Sequence, residues 1–360
     1  MSALSSTPLV ALPPQPEGVP WPTAEWPEGP VPESVELKAL LDAAFDDSGP
    51  VATTYAVVVI HRGRLVAERY GGQLEHFDRP PDPVTVETRL LSWSMAKSML
   101  HATVGILVGD GRLDLDAPAD VPEWSAGAGN GSDARRAITL RQLLAMRDGL
   151  AFVEDYVDDR VSDVINMLFG DGRSDVARFA ADRELAAAPG VRFNYSSGTS
   201  NIISGVVARV VGHGEPYEAF LRDRLFGPIG MQSAVPEFDD AGTWVGSSYV
   251  RTTARDFARF GLLYLRDGMW AGGRILPAGW VDYGRTMVSD DPEDGPYGAH
   301  WWGVAGDTLG TFRASGYEGQ SITICPTLDL LVVRLGKTPL ARNPALVAWR
   351  AAMVRAFAGA

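Results

Sequence analysis

Between Ser94 and Val108 the residues are apolar nearly all round, and the run stops at Gly109-Asp110-Gly111. A helix that is hydrophobic on every side has to lie in the middle of a protein, and glycine supplies the conformation that ends it. The chain must therefore wrap around a central helix that begins at Ser94. With 360 residues, 46% of them apolar and 21% charged, it has enough material for a large core and the balance of a globular protein. Its longest apolar stretch, near Met99–Val108, is interrupted by His101 and is about half the length that crosses a bilayer, so it reads as a core element and not a membrane anchor.

The signals on either side of this helix differ. Residues 1–33 carry Pro13, Pro14, Pro16, Pro20 and Pro22, which disfavour helix and predict an extended arm laid on the body through Trp21 and Trp26. Apolar spacing predicts a helix over Ser34–Phe45, and the runs Thr53–Ile60 and Leu65–Tyr70 around Arg62-Gly63 predict a hairpin. From Ser94 to about Phe238 the periodicity is helical, at Leu140–Met146, Asp163–Phe169, Asp175–Ala181 and Ile202–Val211. A helix over Ala254–Arg266 follows, then strands at Ser321–Cys325 and Leu330–Leu335, and a last helix over Pro344–Phe357. Strands near both ends with helices between them predict an α/β fold whose sheet is assembled from both. The organisation expected is an arm, 1–33, an α/β domain, 34–90 with 242–360, and an inserted mainly helical domain, 91–241.

A formal net charge of -13 would repel a phosphate backbone, and basic residues such as Arg62, Arg64 and Arg69 are scattered singly, as on a solvated surface. Nucleic acid and anionic membrane are thereby excluded as partners, which leaves a small molecule; oligomeric state is not readable. Cys325 is the only cysteine and lies in an apolar run, so it reads as a buried structural thiol. The Pro-rich start lacks a basic segment followed by an apolar one, and a cytoplasmic protein is expected. No metal or cofactor is predicted. There is no H-E-x-x-H and no pair of cysteines, and His61, His76, His101, His213 and His300 are isolated. A packing role is expected for His300, although its neighbours Trp301 and Trp302 would suit a cleft wall. G-x-S-x-G is absent, and Gly336-Lys337-Thr338 fails as a phosphate loop because Leu331 stands where its first glycine belongs.

Chemistry concentrates at Ser94-Met95-Ala96-Lys97, where one helical turn separates a hydroxyl from an amine. A serine hydroxyl is a weak nucleophile until a base takes its proton, and an ammonium moved out of water loses basicity enough to do so, whereas arginine stays charged. Lys38, Lys97 and Lys337 are the only lysines among 32 basic residues, so a lysine on an apolar helix stands out. A surface lysine beside a chance serine has the same spacing, and the companions of the motif decide between the two.

Those companions carry a resemblance. S-x-x-K at the head of a buried helix, followed by Gly111-Arg112-Leu113-Asp114-Leu115-Asp116-Ala117-Pro118, resembles the β-lactamase and penicillin-binding superfamily, nearest to class C enzymes and related esterases. Segments 138–144, 225–231 and 252–258 match in order, so that the likeness spans roughly residues 53–337. It implies the β-lactamase-like fold, with an antiparallel sheet flanked by helices, and an acyl-enzyme mechanism on Ser94 with Lys97 as base. The family's tyrosine beside the nucleophile corresponds to Tyr195, in Tyr195-Ser196-Ser197, where Ser197 replaces a common asparagine. Its Lys-Thr-Gly strand corresponds to Ala314-Ser315-Gly316, without the cation that would anchor a penicillin carboxylate. The backbone N–H groups of Ser94 and Tyr317 are then the expected oxyanion hole, with Ser315 and Gly316 as supporting residues. Glu154-Asp155-Tyr156 and Gly319-Gln320 are similar to the 6-aminohexanoate-dimer (nylon oligomer) hydrolases, in which the tyrosine matching Tyr156 reaches the scissile amide nitrogen. The resemblance points to a small ester or linear amide as substrate. A β-lactamase or DD-peptidase, and a non-catalytic binding protein on the same scaffold, are the alternatives.

Overall fold

The computed structural model describes residues 8–33, 35–75, 80–125, 133–292 and 294–359. Residues 1–7 of the expected arm, Ser34 and His76 lie outside them. Strand β1 (Thr53–His61) turns at Arg62 and Gly63, both with positive φ, into β2 (Arg64–Tyr70). The other strands of the same sheet come from the far part of the chain: β3 (Ser289–Asp291), β4 (Gly295–Tyr297), β5 (Trp302–Gly303), β6 (Phe312–Gly316), β7 (Gln320–Cys325) and β8 (Leu330–Lys337). Their order is β3-β4-β5-β6-β7-β8-β1-β2, with every pair antiparallel. The closing contact is β1 against β8, Thr53 opposite Lys337 and His61 opposite Leu330.

Ten α-helices accompany the sheet among the described residues: α1 (Leu37–Ala44), α2 (Met95–Gly109), α3 (Leu140–Leu144), α4 (Asp163–Phe169), α5 (Val176–Ala181), α6 (Ser197–Val211), α7 (Glu215–Leu221), α8 (Ala254–Leu265), α9 (Trp280–Arg285) and α10 (Asn343–Ala356). Strand alternation decides which of them each sheet face receives. Ala56, Val58 and Ile60 of β1 and Leu331, Val333 and Leu335 of β8 enter one core with α2 and α8. Val57, Val59, Leu330, Val332 and Cys325 enter a second core under α1 and α10. At Gly261 α8 lies so close to β8 that a Cβ would overlap the Leu331 side chain. As the sequence implies, α2 is buried without a break from Met95 to Leu107.

The Pro-rich arm lies on the body. Trp21 packs on Trp270 with ring centres 5.1 Å apart, and Trp26 is buried. Its carbonyls are taken by arginines: Arg259 donates to Pro22 O and Ala24 O, Arg266 to Pro13 O, and Arg285 to Val10 O. The reading of basic residues as solvated surface therefore holds for Arg62 and fails for Arg259, Arg266 and Arg285, all buried. An arm outside any helix or sheet leaves its carbonyls without regular partners, and a guanidinium with five donors satisfies several at once. Two further differences are local. Helix α6 starts at Ser197, five residues before the apolar periodicity becomes visible, and strands β3–β5, of two or three residues each, are too short to show a period of two.

Candidate active site

The segment that delivers Ser94 is clamped before α2 begins. Leu90 and Leu91 pair with Thr252 and Arg251, and the Ser92 N–H donates to Val250 O at 2.8 Å. The Ser92 hydroxyl donates to Ser248 O at 3.0 Å and accepts from the Val250 N–H at 3.1 Å. Trp93 then takes a φ of 45°, a left-handed conformation that bulky residues rarely adopt, and Ser94 stands as the N-cap of α2. A strained residue held by its surroundings directly before a candidate nucleophile is where backbone strain tends to gather.

One turn further on, Lys97 is only 2% exposed. Its Nζ lies 3.0 Å from each of Ser94 Oγ, Ser197 Oγ and the Ser247 carbonyl oxygen. Burial lowers its pKa from 10.5 to about 8, while the Glu154 carboxylate pulls the other way. Beneath it, the His300 Nδ1–H donates to the Lys97 carbonyl at 2.8 Å, and the Ser98 hydroxyl donates to His300 O at 2.7 Å. Burial holds the His300 imidazole neutral, with its pKa lowered to about 3, so this histidine packs and braces the first turn of α2.

Tyr195 enters from the loop before α6, with its phenol beside Ser94 and its ring 4.9 Å from Lys97 Nζ. Burial, reinforced by Glu154, drives its ionisation far above the ordinary phenol range, so the hydroxyl keeps its proton. Tyr297 and Trp302 hold the ring at 5.9 and 5.3 Å between centres.

Ser197 is bonded on two sides. It meets Lys97 as above, while its N–H donates to Glu154 Oε2 at 2.8 Å and its hydroxyl to Glu154 Oε1 at 2.6 Å. The Tyr156 hydroxyl donates to the same Oε1 at 2.6 Å. The Tyr156 ring, 42% exposed, lies 5.1 Å from that of Tyr317, which in turn meets Trp93 at 5.6 Å. Tyr156 and Tyr317 thus stand side by side next to the turn that carries Ser94. Gly316 packs on the same turn: a Cβ there would be 2.5 Å from the Ser92 carbonyl oxygen.

The expectation that no cation stands at the third motif needs correction. Arg313 and Ser315 share the face of β6 opposite Ala314, and the Arg313 Nε–H donates to Ser315 Oγ at 3.1 Å. The rest of that guanidinium bonds to Gly303 O and Asp294 O. The cation precedes the motif by one residue, and only the strand's alternation reveals that it shares a face with Ser315. The sequence reading also left Glu154, Trp93 and the Ser247 carbonyl without a role. Glu154 is an acidic loop residue among several, and a backbone carbonyl has no sequence signature at all. Among the described residues no group of three or more His, Cys, Asp or Glu could hold a metal ion, and no helix is long and apolar enough to cross a membrane.

Comparison with known proteins gives a consistent picture. The family model described as Beta-lactamase matches residues 49–353. A 6-aminohexanoate-dimer hydrolase of Paenarthrobacter ureafaciens is 28% identical over 309 residues, covering 79% of this chain and 73% of that protein. Penicillin-binding protein 4 of Amycolatopsis lactamdurans is 28% identical over 277 residues, 68% of this chain and 65% of its own length. Among solved structures, one from Bacillus anthracis described as a candidate 6-aminohexanoate-dimer hydrolase superposes with a TM-score of 0.72 at 22% identity, covering 97% of this chain and 90% of that one. A family VIII carboxylesterase superposes at 0.68 with 17% identity, covering 91% and 99%. At these identities the superpositions show a shared fold.

Proposed function

The chain belongs to the Beta-lactamase family, and on that footing we propose that it is a serine hydrolase that forms an acyl-enzyme on Ser94 with a small ester or linear amide. The observation that carries the reading is the buried Lys97 amine, 3.0 Å from Ser94 Oγ and with its pKa lowered to about 8. As Ser94 Oγ attacks the substrate carbonyl, its proton passes to neutral Lys97. Tyr195, whose phenol resists ionisation, relays a proton from this pair to the departing alkoxide or amine. The negative charge on the carbonyl oxygen is met by the backbone N–H groups of Ser94 and Tyr317. Water then adds to the acyl-enzyme, returns its proton through the same groups, and frees the acid and Ser94. Similarity to a 6-aminohexanoate-dimer hydrolase supports a linear amide, and the carboxylesterase neighbour supports an ester.

Intact-mass analysis after incubation with a fluorophosphonate, and separately with a penicillin, tests the reading. A single adduct that disappears in the Ser94→Ala variant is expected with the fluorophosphonate. A stable penicillin adduct would move the preferred substrate toward β-lactams, and failure of both reagents to label a folded protein would favour a non-catalytic binding protein.

A further inference from the structure

We propose that Glu154 is a positioning residue that decides which way the proton between Ser94 and Lys97 points; this rests on the serine-hydrolase reading above. A neutral lysine amine has two N–H donors and one lone pair, and Lys97 has three partners, all at 3.0 Å. The Ser247 carbonyl can only accept, so it takes one N–H. Ser197 has a hydroxyl that could either accept from Lys97 or donate to its lone pair. Glu154 removes the choice: its Oε1, 2.6 Å away, takes the Ser197 hydroxyl proton, so that Ser197 faces Lys97 as an acceptor. Both N–H groups of the amine are then occupied. The lone pair is left facing Ser94, the one partner whose proton must move.

The carboxylate is itself fixed. The N–H of Ser197, first residue of α6, holds Oε2 at 2.8 Å, and Tyr156 donates to Oε1. In Glu154→Gln the Ser197 N–H still requires an oxygen at the Oε2 position, so the amide nitrogen falls at Oε1. There it donates to Ser197, whose own proton turns to Lys97 and occupies the lone pair that Ser94 needs. The substitution also removes the negative charge that raises the Lys97 pKa. Two effects of different sign follow: a slower reaction, and a base that loses its proton at lower pH.

The readout is the second-order rate of Ser94 labelling by a fluorophosphonate as a function of pH, followed by intact mass, which needs no knowledge of the natural substrate. Glu154→Gln is expected to lower the plateau rate roughly 10-fold and to move the acidic limb down by roughly 0.5 pH unit or more. Ser197→Ala cannot donate to Lys97. Adding Glu154→Gln to it should therefore cost less than about 2-fold more in rate, while the limb still moves. Glu154→Asp keeps the charge but withdraws from Ser197, so its rate should fall with the limb in place; it carries the test if the glutamine variant does not fold. Tyr156→Phe should leave the limb where it is. An unchanged rate and limb in Glu154→Gln, or losses that multiply fully with Ser197→Ala, would overturn the inference while Ser94 labelling of the unaltered protein leaves the hydrolase reading standing. Absence of Ser94 labelling in the unaltered protein would overturn both.

Discussion

Replacing Lys97 with methionine should change how stability depends on pH, because the folded chain holds this ammonium against its preference. Its pKa is about 8 when folded, against the ordinary lysine value of 10.5. Where the group is protonated in both states, below about pH 8, it opposes folding to the full extent of the difference. The opposition fades as the pH rises through 10.5. A gap of about 2.5 units is about 3 kcal/mol at 1.36 kcal/mol per unit. Between pH 7 and pH 10.5 the parent protein should therefore gain about 3 kcal/mol on Lys97→Met, roughly 2 of them by pH 9.5. The hydrogen bonds lost with the amine shift the whole difference by a constant and leave its slope alone. Urea unfolding of both proteins at pH 7, 8, 9.5 and 10.5 measures it. The same group should appear in kinetics, with ester hydrolysis by the parent falling about 10-fold per pH unit below 8. A stability difference that stays flat with pH would refute burial as the source of the lowered pKa, and with it the case for Lys97 as the base.

Two other substitutions probe the cleft. Tyr156→Phe should lower hydrolysis of a linear amide roughly 10-fold, the worth of one transition-state hydrogen bond, and leave p-nitrophenyl ester cleavage within a few-fold. Equal losses of kcat/KM on both substrates would instead make Tyr156 a general structural residue. Gly316→Ala places a Cβ 2.5 Å from the Ser92 carbonyl, and backbone cannot yield as a flexible side chain would. We expect about 1–3 kcal/mol of destabilisation in urea and a drop of 10-fold or more in ester hydrolysis; full activity would show that β6 can move away from the Trp93 turn at no cost.

The sequence revealed the parts of this molecule that depend on local pattern. Lys97 was visible because lysine is scarce in this chain and an apolar helix is a costly place for an ammonium. The β1–β2 hairpin was visible from two apolar runs around Arg62-Gly63. What it concealed is set by partners far along the chain. Ser197-Gly198-Thr199-Ser200-Asn201 has weak helix propensity, yet it forms the first turns of α6 because tertiary packing buries all five residues. Arg259, Arg266 and Arg285 look like any surface arginines until the arm lies across them. Glu154 gains its importance from Ser197, 43 residues away, through a contact that neither segment announces.

The pairing of β1 with β8 also sets a clock. Thr53 meets Lys337, so about 280 residues must be made after β1 before its partner exists. At roughly 5–20 residues per second, translation leaves β1 waiting for roughly 15 to 60 s. Through that interval β2 covers one edge of Ala56-Val57-Val58-Val59-Ile60, and the other edge is an open, uncharged template for any passing strand. Recombinant yield of this protein should therefore follow growth temperature and chaperone supply, which govern the fate of a nascent hairpin, more closely than it follows the stability of the finished fold.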